Sequence, residues 1–118
     1  MKGSLGDKER LLHISDAIES IEGFCKEIDQ TTFRTNYMLQ LAVVKLLEVI
    51  GEASTRLSQE LREEHNEIEW QLIIKSRNVL VHEYFAISND IIWEAIQTDL
   101  PKLKRSVRKI LDQKFDKK

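Results

Sequence analysis

Apolar residues at Leu11, Ile14, Ile18, Ile21, Cys25 and Ile28 recur every three or four positions. That is the spacing of one helix face, and it predicts a helix over about 7–29. The run Gln30, Thr31, Thr32, Phe33 breaks the pattern. A second helix is expected over about 36–62, its main stripe being Leu39, Ala42, Val43, Leu46, Ile50, Ala53, Leu57 and Leu61. Leu41, Val44, Leu47 and Gly51 gather on the opposite side, so this helix has two apolar faces to cover. Either its neighbours enclose it, or the second face meets another subunit; the second reading is preferred, with Gly51, costly inside a helix, allowing the close approach. The polar stretch 63–69 reads as a loop that leaves His65 exposed. A third helix follows over about 70–85, after which Ser88, Asn89 and Asp90 offer N-cap chemistry for a fourth. There Ile92, Ile96, Leu100, Leu103, Val107 and Ile110 keep one phase across Pro101, as in a single kinked helix. The expected fold is all-α, an antiparallel up-and-down bundle of four main helices with the last kinked at Pro101. It forms one domain over 1–118, with 1–6 and 114–118 as flexible ends.

Composition agrees with this outline and narrows the function. Four Gly and one Pro in 118 residues are too few turn-makers for an all-β sandwich. One Cys, on the apolar stripe at Cys25, and three scattered His give neither a disulfide scaffold nor zinc-ligand spacing. No metal or other cofactor is expected. Neither a membrane span nor a secretory leader is predicted, so the expected location is cytoplasmic. The net charge of -2 conceals an asymmetry: residues 102–118 carry eight basic and two acidic side chains, or +6, and the other 101 carry -8. Lys102, Lys104, Arg105, Arg108 and Lys109 are therefore candidates for holding a polyanion. A solvated basic helix end that complements the helix dipole is the plainer alternative.

The third helix contains an anomaly. On an ideal wheel Arg77 lies at the centre of the face made by Trp70, Ile73, Ile74, Leu80, Val81 and Phe85. An Arg there demands an internal carboxylate, such as Glu48 or Glu52, or a polar cleft lined by the helix. Tyr84 shares the Arg77 stripe, and Asn78 and His82 occupy an adjacent flank. His moves protons near neutral pH, Arg grips phosphoryl oxygens at two points and Tyr positions a hydroxyl or phosphate, so the set suits phosphate chemistry. Arg77 and His82 nevertheless point about 140° apart on a regular helix. They converge on one phosphate only if the helix end distorts or a symmetric second chain supplies half the site. Leu72 and Val79 on the otherwise polar side are candidates for that partner contact.

Arg77, His82 and Tyr84 stand in the R-x4-H-x-Y spacing of HEPN-domain proteins, and the wider chain resembles their HepT-like branch. The likeness extends over the His13 to Ile18 segment, the Ala42–Val43 and Ile50 to Ala53 portions of the second helix, Leu57–Ser58, the approach to Trp70, Trp93 and Asp99 to Pro101. Members often carry prolines in the loop before Trp70, where this chain has Asn66 and Glu69. The resemblance implies an all-α bundle that dimerises around a shared cleft. It further implies a metal-independent RNA endonuclease, the toxin of a type VII toxin–antitoxin pair. The implied antitoxin is an MntA-like nucleotidyltransferase that silences the toxin by AMPylation of Tyr84.

In the mechanism expected from these residues, the ribose 2′-hydroxyl attacks the adjacent phosphate. His82 acts as general base or acid, the second chain's His82 taking the complementary role, while Arg77 stabilises the transition-state charge and Asn78 orients His82. The basic stretch from Lys102 to Lys109 would hold the RNA backbone in a salt-dependent manner. Two alternatives remain: a non-catalytic nucleotide- or substrate-binding partner subunit of a nucleotidyltransferase, and a structural helical protein with Arg77 sealed in a core ion pair.

Overall fold

The computed structural model describes residues 2–83 and 86–115. Tyr84, Phe85 and the 116–118 end of the expected flexible tail lie outside them. The described residues are helical throughout their elements, without strands. They form α1 (Lys2–Cys25), α2 (Gln30–Thr35), α3 (Tyr37–Thr55), α4 (Gln59–Glu64), α5 (Trp70–Glu83), α6 (Asn89–Glu94) and α7 (Leu100–Ile110). A π-type turn, Ala95–Asp99, joins α6 to α7 and another, Leu111–Phe115, continues α7. α3 packs against both α1 and α5, α7 lies on α1, and α2 bridges α3 and α6.

The first helix is placed as its stripe predicts: Leu11, Ile14, Ile18 and Ile21 are fully buried, with Cys25 nearly so. Burial pushes the Cys25 thiol up from its ordinary value, as befits an unreactive core residue. Glu27, in the left-handed region at φ 62°, then turns the chain out of α1. The expected break at 30–33 is instead the short helix α2. Asp29 accepts a hydrogen bond from Thr32 N at 2.9 Å as its N-cap, and Phe33 is fully buried with its ring 5.3 Å from that of Trp93. Arg34 donates to both Asp90 oxygens, at 2.8 and 3.1 Å, which ties α2 to α6 and holds the Asp90 carboxyl below its ordinary value.

The expected second helix divides into α3 and α4. Ser58 is extended and caps α4 through Leu61 N. Its own N–H and hydroxyl donate to the buried carboxylate of Asp7, at 2.8 and 2.7 Å. Hydrogen bonds to a charged group contribute about 1.5–3 kcal/mol each, enough to fix the break where no Gly or Pro marks it. The loop after α4 also departs from expectation: His65 is largely covered, with 16% of its side chain exposed. The Trp70 indole donates to its carbonyl at 3.1 Å and draws the loop inward. Ser88 caps α6, as its sequence foretells. At Pro101, which cannot donate to the residue four back, the helix has just passed through its π-type turn, and Leu100 N–H bonds to Ala95 O.

Candidate functional site

The site begins with the crossing of α3 and α5. Gly51 is buried beneath Arg77. A methyl added to Gly51 would overlap the Arg77 Cβ and stand 2.7 Å from its Cγ and 3.3 Å from its Cα. The glycine therefore serves an approach within the chain and not the subunit contact expected of it. A single sequence shows the gap in the α3 face but not which side chain fills it.

With its stem seated on Gly51, Arg77 extends its guanidinium past the apolar centre of the interface. Its Nη2 lies 3.1 Å from Glu52 Oε1, while the other Glu52 oxygen accepts from Arg56 Nε at 3.0 Å. One carboxylate thus bridges two guanidinium groups. The expected Arg77–Glu52 pair exists, but it is not sealed, since 33% of the Arg77 side chain and 42% of Glu52 are exposed. Asn78 accepts from Arg77 Nη1 at 3.0 Å through its amide oxygen, which ties it to Arg77.

The pair forms part of the wall of an open cleft of about 270 Å³ between α1, α3 and α5. Arg10, His13, Lys45, Glu48 and Arg56 also line it. Sequence reading missed this cationic wall, because Arg10 and His13 are far from α3 in sequence. The available signal was the i,i+3 pairing of two basic residue types on the flank of the α1 stripe. Among the described residues, no group of three or more His, Cys, Asp or Glu side chains is placed to hold a metal ion.

His82 does not join Arg77 in this cleft. α5 stays regular through Glu83, and His82 is exposed while the cleft is lined by Arg77 and Val81. His82 instead lies within about 80° of Leu72 and Val79 on the wheel, and those apolar side chains are 57% and 42% exposed. Tyr84 lies outside the described residues. Of the basic stretch, Lys104 pairs with Glu22 at 2.9 Å and Arg108 with Glu19 at 3.2 Å. Lys102, Arg105 and Lys109 are exposed and make no ion pair among the described residues. Among the described residues no helix is long and apolar enough to cross a membrane.

The family model described as ribonuclease HepT-like matches residues 14–110. A Methanocaldococcus jannaschii protein named "Gamma-glutamylcyclotransferase and putative RNase" is 38% identical over 103 residues, which is 87% of this chain and 46% of that protein, so the chain spans less than half of it. A "Putative RNase" of the same organism is 35% identical over 100 residues, 85% of this chain and 92% of its own length. "Probable ribonuclease HepT" of Thermococcus cleftensis is 36% identical over 103 residues, 87% of this chain and 94% of its own length. No solved structure matches the chain.

Proposed function

The chain belongs to the ribonuclease HepT-like family, and from that membership we propose that it is a metal-independent RNA endonuclease using Arg77 and His82. The carrying observation is the Arg77 guanidinium, held by Glu52 and Asn78 in the wall of an open cationic cleft. An arginine oriented in this way is ready to stabilise charge on a phosphoryl group without reorganising during the reaction.

In the proposed reaction the 2′-hydroxyl oxygen bonds to the neighbouring phosphorus as His82 takes its proton. The bond from phosphorus to the 5′-oxygen breaks, and that oxygen leaves with a proton from water, the Arg77 at that phosphate being supplied by the other copy. Arg77 stabilises the phosphorane-like transition state. This supports a homodimer: within one chain Arg77 and His82 diverge, and His82 shares its face with exposed Leu72 and Val79. The same packing of α1, α3, α5 and the α6–α7 pair with short connections favours an antiparallel up-and-down bundle, kinked at Pro101, acting as one domain.

Family membership also underlies a regulatory reading, in which the protein is the toxin of a type VII pair and an MntA-like nucleotidyltransferase AMPylates Tyr84. Bulk and negative charge two residues from His82 would repel RNA. Co-expression with such an enzyme should add the mass of AMP to Tyr84, and unmodified Tyr84 after co-expression with the active enzyme would contradict the regulatory reading. The nuclease reading has its own test in chelator-treated protein. It should leave a 2′,3′-cyclic phosphate and a 5′-hydroxyl, and 2′-deoxy substitution at the cut nucleotide should block cleavage. Cleavage that depends on added metal, or that survives 2′-deoxy substitution, would refute it.

A further inference from the structure

The cleft wall carries charge that the reaction above does not use. Arg10, Lys45, Arg56 and Arg77 face Glu48 and Glu52 there, a local balance of +2 in a chain of net charge -2. Arg56 and Arg77 share Glu52. Arg10 and Lys45 make no ion pair among the described residues. The Nε atoms of Arg10 and Arg77 are both buried without a hydrogen-bond partner among those residues. Buried guanidinium N–H groups without acceptors are the donors that a phosphate, with several oxygens, can satisfy.

The basic stretch of α7 is less suited to this task. Lys104 and Arg108 are occupied by Glu22 and Glu19. On an ideal α1, those two acids lie about 180° from Arg10 and His13, so the α7 stretch and the Arg77 cleft are on opposite sides of α1. RNA presents phosphates in a continuous row, and a strand whose reacting phosphate meets Arg77 carries its neighbours along the wall of the same cleft.

We infer that Arg10, His13 and Lys45 form a subsite for an RNA phosphate next to the reacting one, and that the strand runs between α1 and α3 and not along α7. The inference rests on the ribonuclease reading for the identity of its ligand. Arg10 offers the outer nitrogens of its half-buried guanidinium, Lys45 an ammonium from the exposed side of α3, and His13 an exposed imidazole, all lining the cleft.

The test is equilibrium binding of a 2′-O-methyl RNA oligonucleotide, which lacks the attacking hydroxyl, to the full chain over a range of salt concentrations. Each single-strand phosphate contact contributes about 0.7 to the slope of log affinity against log salt. Arg10→Gln with Lys45→Ala should remove this one phosphate contact and reduce that slope by about 0.7, with affinity at least roughly tenfold weaker, and Lys45→Ala alone should produce part of that loss. Lys102→Ala with Arg105→Ala should change the slope less. Unchanged affinity and slope in the Arg10 and Lys45 variants, or a larger effect from the α7 pair, would overturn the inference. Lys45 is exposed, so its single variant keeps the test decisive even if the double variant fails to fold. Cleavage of ordinary RNA, followed in parallel, separates the two readings. Wild-type protein that binds as described but cuts nothing sinks catalysis and leaves the subsite, whereas cleavage with binding indifferent to Arg10 and Lys45 sinks the subsite alone.

Discussion

Replacing Arg77 with Ala is expected to slow RNA cleavage by about 10²–10³-fold, the loss typical when a preorganised charge-stabilising donor is removed. His82→Ala should slow it by about 10²–10⁴-fold, the range for a positioned acid or base. The structure explains why these losses should be chemical and not a consequence of unfolding. Glu52 retains Arg56 when Arg77 is truncated, and a partly exposed ion pair contributes little to stability. His82 is exposed. Thermal midpoints should therefore stay close to wild type while kcat collapses. Arg77→Lys should recover little, since an ammonium cannot reproduce the two-point geometry of the guanidinium. Either alanine variant cutting RNA at the wild-type rate would remove that residue from the reaction.

The second large effect is expected at Gly51. Alanine there would ordinarily favour a helix by about 0.8–1 kcal/mol. Here the added methyl would overlap the Arg77 Cβ and sit 2.7 Å from its Cγ. Neither atom is the free end of a side chain, so α5 itself must shift away from α3. Overpacking costs about 1–3 kcal/mol; with stem and backbone atoms in the way the upper end applies, about 2 kcal/mol remains after the helix gain, and the thermal midpoint should fall by roughly 5–10 °C. Because the displaced residue is Arg77, cleavage should fall at temperatures where Gly51→Ala is still folded. A midpoint equal to or above wild type would show that the two helices are not in such close contact.

These two positions also illustrate what could be read from the sequence. Arg77 declared itself by standing at the centre of an apolar face, and Glu52 was one of its two candidate partners, because a cation on such a face needs a nearby carboxylate. The 140° divergence of Arg77 and His82 was equally legible, since it follows from helix geometry alone, and α5 keeps that geometry through Glu83. The role of Gly51 was not, because an absent side chain records room without recording its occupant. Likewise α2 depends on the Asp29 cap and on Phe33 meeting Trp93, 60 positions away. The break between α3 and α4 depends on Asp7, 51 positions before Ser58. Local periodicity contains neither contact. The cationic cleft was hidden for the same reason, as Arg10 and Lys45 are ordinary charged residues until α1 and α3 bring them beside Arg77.

The central claim is that Arg77 of one chain and His82 of another act on the same phosphate, and subunit mixing tests it most directly. Arg77→Ala and His82→Ala proteins, each inactive alone, are mixed in equal amounts under conditions that let subunits exchange. Half of the dimers should then be mixed, each with one intact site of two, so RNA cleavage should return to about a quarter of the wild-type rate. Two variants that remain inactive after verified exchange, or that were never impaired, would contradict the account.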